Sequence, residues 1–189
     1  MTKRMSRKAW LTVAVVIAVG AAIGIALSHS SCSPSESMVA SQNATDFTLP
    51  TMTGANITLS ELEGTPVVLI FWTTTCAYCN QQLHYVEDVA QQGEGEIRVI
   101  ATNIGQPISE IQRFFGDYEP TMVIALDVNR ETFADYCRTY DNPNTYVPFT
   151  LFVDGEGIVE YTRIGAFASE AQLWDALNDV LGITVTQTS

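Results

Sequence analysis

Six consecutive apolar residues, Val67-Val-Leu-Ile-Phe-Trp72, stand between Pro66 and a run of three threonines. A strand with one wet face alternates apolar and polar residues, whereas an unbroken apolar run is the pattern of a strand covered on both faces. Such a strand needs a sheet around it and a layer above and below. Directly after the threonines comes Cys76-Ala-Tyr-Cys79, and then Leu83, Val86, Val89 and Ala90 fall on one face of a helix expected over about 77–92, stopped at Gly93. A buried strand that runs into a helix with two cysteines in its first turn is the fixed point for the rest.

The flanking chain supplies the sheet. Phe47-Thr-Leu49 and Ile57-Thr-Leu59 around the turn 53–56 read as a short hairpin. Ile97 to Ala101 and Met122 to Leu126 read as strands. Between them Pro107 opens a helix with Ile108, Ile111, Phe114 and Phe115 inward. Asn129 is a candidate cap for a helix whose Phe133, Tyr136, Cys137 and Tyr140 follow the i, i+3, i+4, i+7 rhythm. Phe149–Val153 and Ile158–Tyr161 around Asp154-Gly-Glu-Gly157 form a hairpin. Ser169-Glu-Ala-Gln172 is a capping box for a last helix with Leu173, Leu177, Val180 and Leu181 inward and Gly182 at its end. Strands alternating with helices and closed by a hairpin and a helix make one α/β domain over 44–183, a mixed sheet covered on both faces. Residues 184–189 are a tail.

The chain before it reads as an address. Trp10 to Leu27 is an uncharged apolar run preceded by a basic segment, 1–9, with Lys3, Arg4, Arg7 and Lys8. At about 1.5 Å per residue its length approaches the hydrocarbon thickness. No Lys or Arg follows until Arg98, so the positive-inside rule puts the N-terminus in the cytoplasm and the body outside. Residues 10–27 are expected to be a membrane anchor. A cleaved signal ending near Ala26 and Ser28 is one alternative. Lipidation of Cys32, which follows the run and precedes Ser-rich sequence, is another, although His29 stands where a lipobox wants an aliphatic residue. Residues 28–43 read as a flexible tether.

Net charge is −12, and beyond residue 8 five arginines face all 21 acids, which leaves the body at −16 with no lysine. Nucleic-acid binding needs a basic footprint, so it is excluded.

The cysteine pair carries the chemistry. C-x-x-C also supplies half of many zinc sites, but a zinc site needs two more ligands. Only Cys32, Cys137, His29 and His84 remain, with no second paired spacing. No metal is therefore expected. At a helix start the unpaired N–H groups and the dipole stabilise a thiolate on Cys76, and Cys79, one turn on, can resolve a mixed disulfide. Cys137, on an inward stripe, reads as a buried thiol, and His84 as a surface residue.

Phe71-Trp-Thr-Thr-Thr-Cys-Ala-Tyr-Cys79 resembles the F-W-A-x-W-C-x-x-C of the TlpA/ResA-like family. These are membrane-tethered, extracytoplasmic thioredoxin-fold thiol–disulfide oxidoreductases of the redoxin (AhpC/TSA-like) type. Asp46-Phe47-x-Leu49, Gly54, Leu59, Leu62, Gly64 and Pro66-Val-Val68 are similar to that family's lead-in, and Asn103-Ile-Gly105 to its second strand end. Val147-Pro-Phe-Thr-Leu-Phe-Val-Asp154-x-x-Gly157 is similar to V-P-T-T-F-L-I-D-x-x-G.

The resemblance implies a thioredoxin-like fold with an N-terminal β-hairpin extension. It implies that Cys76 and Cys79 are the catalytic pair and that their redox-active disulfide serves without a cofactor. Pro148 is then a cis-proline exposing the Val147 backbone to substrate, Tyr78 a substrate contact, and Trp72 and Gln82 supporting residues. Protein thiols and disulfides are the implied substrates, a membrane electron donor the implied partner and cytochrome c maturation the implied setting. Reduction is the expected direction. Thr75 replaces the usual aromatic residue before the first cysteine, and Gln82 stands where several relatives carry a glutamate. Ala77-Tyr78 lacks the proline of reducing members, and a tyrosine there resembles isomerases, so a disulfide oxidase or isomerase is the alternative. A peroxidase would want proline at Leu69, and a copper module a histidine beyond His84.

Overall fold

The computed structural model describes residues 35–37, 42–93 and 95–183, all within the unit Pro34–Ser189. The expectations for residues 1–27, Cys32 and the tail 184–189 lie outside them.

The strands are β1 (Ser35–Ser37), β2 (Gln42–Asn43), β3 (Thr48–Pro50), β4 (Asn56–Thr58), β5 (Val67–Trp72), β6 (Arg98–Ile104), β7 (Val123–Asp127), β8 (Phe149–Val153) and β9 (Ile158–Ile164). The helices are α1 (Ala77–Gln92), α2 (Ile108–Phe115), α3 (Glu131–Thr139) and α4 (Glu170–Leu181). The main sheet runs β1-β9-β8-β5-β6-β7, with β2 also on β9. β5–β6 and β6–β7 are parallel, and β5–β8 and β8–β9 antiparallel. β3 and β4 pair separately as the expected hairpin.

β5 holds the centre. Val68, Ile70 and Trp72 point into a core closed by Leu83, Val86 and Val89 of α1, Ile111 of α2, and Leu173 and Leu177 of α4. Val67, Leu69 and Phe71 point into the opposite core with Phe47, Leu49 and Ile57 of the hairpin and Phe133, Tyr136 and Cys137 of α3. All six side chains are buried, and each fully buried one stabilises by about 1.5–3 kcal/mol. Leu69 stands in mid-sheet, opposite Ile100 of β6 and Leu151 of β8, a place that proline, without its N–H, does not take.

Three expectations change. Ser35–Ser37 and Gln42–Asn43, read as tether, pair antiparallel with β9 and extend the sheet. In α2 Ile111 is buried, but Ile108 and Phe114 stay 38% and 39% exposed, because two turns of helix can turn only one narrow stripe to the core. Phe114 instead lays its ring 5.4 Å from Trp72 and roofs it. Asn129 does not cap α3. Arg130, at φ 66°, is the boundary residue, and the Asp127 carboxylate at the end of β7 accepts from the N–H groups of Thr132 (3.4 Å) and Phe133 (2.8 Å). Gly93 ends α1 as expected, at φ −95°, and a Cβ there would lie 2.5 Å from the Ile97 side chain and 2.9 Å from the Val89 carbonyl.

Candidate active site

β5 and β8 are antiparallel with Phe71 opposite Phe149. The residues after β5 therefore meet the residues before β8, which brings Thr73–Cys76 beside Tyr146–Pro148. Cys76 is the boundary residue of α1, in extended conformation at φ −88° and ψ 108°. It is partly exposed, while Cys79 is turned fully into the core. The two form a disulfide with Cα atoms 5.1 Å apart. The Cys79 backbone N–H donates to Cys76 Sγ at 3.1 Å, so an unpaired helix N–H points at the sulfur where a thiolate would form.

Across the gap the Val147 carbonyl oxygen lies 3.8 Å from Cys76 Sγ. The Val147–Pro148 bond is cis, and the Pro148 carbonyl accepts from Gly165 N–H at 2.8 Å, tying the loop to the end of β9. Cys76, Cys79, Val147 and Pro148 thus come together. Tyr78 projects beside them, 71% exposed.

Trp72 is fully buried and belongs to the core; Phe114 and Phe115 pack on it at 5.4 and 5.9 Å. Gln82 is also fully buried, one turn beyond Cys79, and its Oε1 accepts from Phe167 N–H at 2.8 Å. It anchors the chain after β9 to the active-site helix. His84 is a surface residue. Cys137 is buried in α3, and burial pushes its thiol up to about 11.

Sequence reasoning missed Gln106. Its Oε1 accepts from Thr74 N–H (2.8 Å) and from Asn103 Nδ2 (3.0 Å), and its Nε2 donates to Thr74 Oγ1 and Glu110 Oε2, both at 2.8 Å. Asn80 Nδ2 adds a bond to the Thr74 carbonyl at 3.3 Å. The loop that delivers Cys76 is therefore held from the ends of β6 and α1. Among the described residues no cluster of three His, Cys, Asp or Glu could hold a metal.

The AhpC/TSA family model matches residues 40–162. The chain is 23% identical over 176 residues to the thiol-disulfide oxidoreductase ResA of Bacillus subtilis, covering 93% of this chain and 94% of that protein. It is 28% identical over 128 residues to ResA of Halalkalibacterium halodurans, covering 67% and 72%. A secreted Mycobacterium tuberculosis disulfide oxidoreductase homologous to E. coli DsbE superposes with a TM-score of 0.60 at 22% identity, over 71% of this chain and 96% of that one. That likeness speaks to the fold.

Proposed function

The chain belongs to the AhpC/TSA family and is a thiol–disulfide oxidoreductase of ResA/DsbE type; from that premise we propose that it reduces disulfides of protein substrates outside the cytoplasm. The observation that carries the chemistry is the partly exposed Cys76, its sulfur facing the Val147 carbonyl with a helix N–H behind it and Cys79 buried one turn on.

The Cys76 thiolate attacks one sulfur of the substrate disulfide. A mixed disulfide forms and the other substrate sulfur leaves as a thiolate that takes up a proton. The Cys79 thiolate then attacks Cys76 Sγ. The substrate leaves as a dithiol carrying two electrons and two protons, and the Cys76–Cys79 disulfide forms. The substrate chain lies extended along the Val147 backbone, next to Pro148 and Tyr78. A membrane thiol donor returns two electrons to the pair, residues 10–27 hold the protein at the membrane, and apocytochrome c maturation is one setting that such a reductant serves.

The charge distribution favours the reducing direction. Residues 72–82 contain no charged side chain and the body stands at −16. One helix start lowers the Cys76 pKa, while the negative field opposes that, screened with distance by salt. A modestly stabilised thiolate gives a low-potential pair. Equilibration in glutathione buffers should return a potential below about −220 mV, with a Cys76 pKa above about 6 by pH-dependent alkylation. A potential near −120 mV with a pKa near 4 would overturn the direction and promote the oxidase reading.

A further inference from the structure

The loop between α3 and β8 is built around one residue outside the chemistry just described. Asn142 is fully buried, and all four of its polar groups are engaged in shaping this loop. Its backbone N–H donates to the Cys137 carbonyl at 2.9 Å, closing the end of α3, and its carbonyl accepts from Thr145 N–H at 3.0 Å. Its side-chain Oδ1 accepts from Tyr146 N–H at 3.0 Å, and its Nδ2 donates to the Tyr146 carbonyl at 2.9 Å. A backbone N–H can meet only the amide oxygen and a backbone carbonyl only the amide nitrogen, so the orientation of the Asn142 amide is fixed. Asp141 and Thr145, on either side of this turn, have φ of 52° and 53°. Such left-handed residues are strained and persist where their surroundings over-determine them. Tyr146 is 58% exposed although aromatic, and the next residue is Val147, whose carbonyl faces Cys76 Sγ.

We propose that Asn142 is a positioning residue for substrate: it holds the Tyr146–Val147 backbone rigid as the edge on which an extended peptide lies, and presents the Tyr146 ring to that peptide. This rests on the reading of Val147 as the docking edge. The loop would otherwise pay its ordering entropy each time a substrate binds. The substrate class follows from the rim. Residues 72–82 and 142–153 carry no Asp, Glu, Lys or Arg, on a body at −16. Tyr78 stands between the two cysteines in the chain and Tyr146 directly precedes Val147, both exposed, so the rim suits a disulfide in an extended segment with an aromatic or aliphatic neighbour.

The test mixes the pre-reduced protein with excess of a quenched peptide carrying an intramolecular disulfide and a leucine beside one cysteine. It reads the half-saturating concentration and the limiting rate separately. Asn142→Ala should raise the half-saturating concentration about tenfold and change the limiting rate less than twofold. Reaction with 2-hydroxyethyl disulfide, which has no backbone amide, should slow far less than reaction with the peptide at low concentration. Tyr146→Ala, at a surface position, should raise half-saturation about fivefold. Asn142→Asp keeps the acceptor and loses the donor; it should move in the same sense and decides the matter should the alanine variant not fold. Unchanged half-saturation in the Asn142 variants overturns the proposal, as does an equal loss on the peptide and on 2-hydroxyethyl disulfide. Peptides with each amide beside the cysteines replaced by an ester separate the two readings. If wild type treats amide and ester alike, Val147 docking itself fails. If it discriminates while the Asn142 variants match wild type, the Asn142 assignment alone fails.

Discussion

The two sulfurs of the Cys76–Cys79 pair differ in exposure, and the proposed order of action follows that difference. Cys76 is open at the helix start and Cys79 is closed in the core, so only Cys76 can meet a substrate sulfur in line. Cys79→Ala removes resolution and should trap mixed disulfides with substrates. Cys76→Ala should trap none on non-reducing gels, and capture by that variant would reverse the roles. Cys137 is distinct from both. With its thiol pushed up to about 11, roughly one molecule in a thousand carries the thiolate at pH 8. In the reduced native protein iodoacetamide should label Cys76 readily and Cys137 only after unfolding, as read by peptide mass spectrometry. Native-state labelling of Cys137 would show that α3 opens from the sheet.

At the scale of elements, α1 is held at its middle by a group the sequence does not advertise. The Glu87 carboxylate accepts from Thr121 N–H (2.7 Å), Met122 N–H (3.1 Å), Tyr118 Oη (2.9 Å) and Gln91 Nε2 (3.0 Å). Burial alone would raise its pKa, yet the bonds from Thr121, Met122, Gln91 and Tyr118 together hold it below the ordinary 4.5. A depressed carboxylate stabilises the fold above its ordinary pKa, and that contribution is lost as pH falls through the folded value. Glu87→Gln puts an amide among donors and should cost about 2–4 kcal/mol at pH 7. Wild-type melting temperature should fall as pH drops below about 4.5, and the difference between wild type and variant should shrink there. A constant difference down to pH 3 would show that the charge is not what binds α1 to the approach of β7.

What could be read beforehand follows the same division. β5, α1, α3, the β8–β9 hairpin and the cysteine pair lie in periodic or punctuated patterns, and burial of apolar stripes dictates those. Glu87, Gln106, Asn142 and Asp127 work through partners far along the chain or in a loop. A buried polar anchor has the same local sequence signature as a solvated one. Asn129 misled for that reason: it is an ordinary capping residue in place, but the carboxylate two residues earlier reaches the helix first. The strands β1 and β2 were hidden because Ser- and Gln-rich sequence reads as tether until an open edge, β9, offers it backbone partners.

At the scale of the whole molecule the decisive asymmetry is electrostatic. Four of nine basic residues precede the apolar run 10–27, none stands between it and Arg98, and the body is at −16. Such a body is repelled by anionic headgroups, so the proposed membrane attachment would have to be apolar. The attachment proposed above is the apolar run 10–27; among the described residues no helix is long and apolar enough to cross a membrane. Attachment should then survive 1 M NaCl and yield only to detergent. With the N-terminus inside, protease added to intact spheroplasts should digest residues 44–183 and leave a short membrane fragment containing the run. The same proposed placement would keep the Cys76–Cys79 pair where disulfides persist. A soluble product beginning after Ser28 would mean that the run is a cleaved signal, and lipid on Cys32 would mean a lipoprotein; both keep the catalytic body outside. Full protection from protease until the cells are lysed would place the body in the cytoplasm and overturn the extracytoplasmic assignment, together with the membrane donor that it requires.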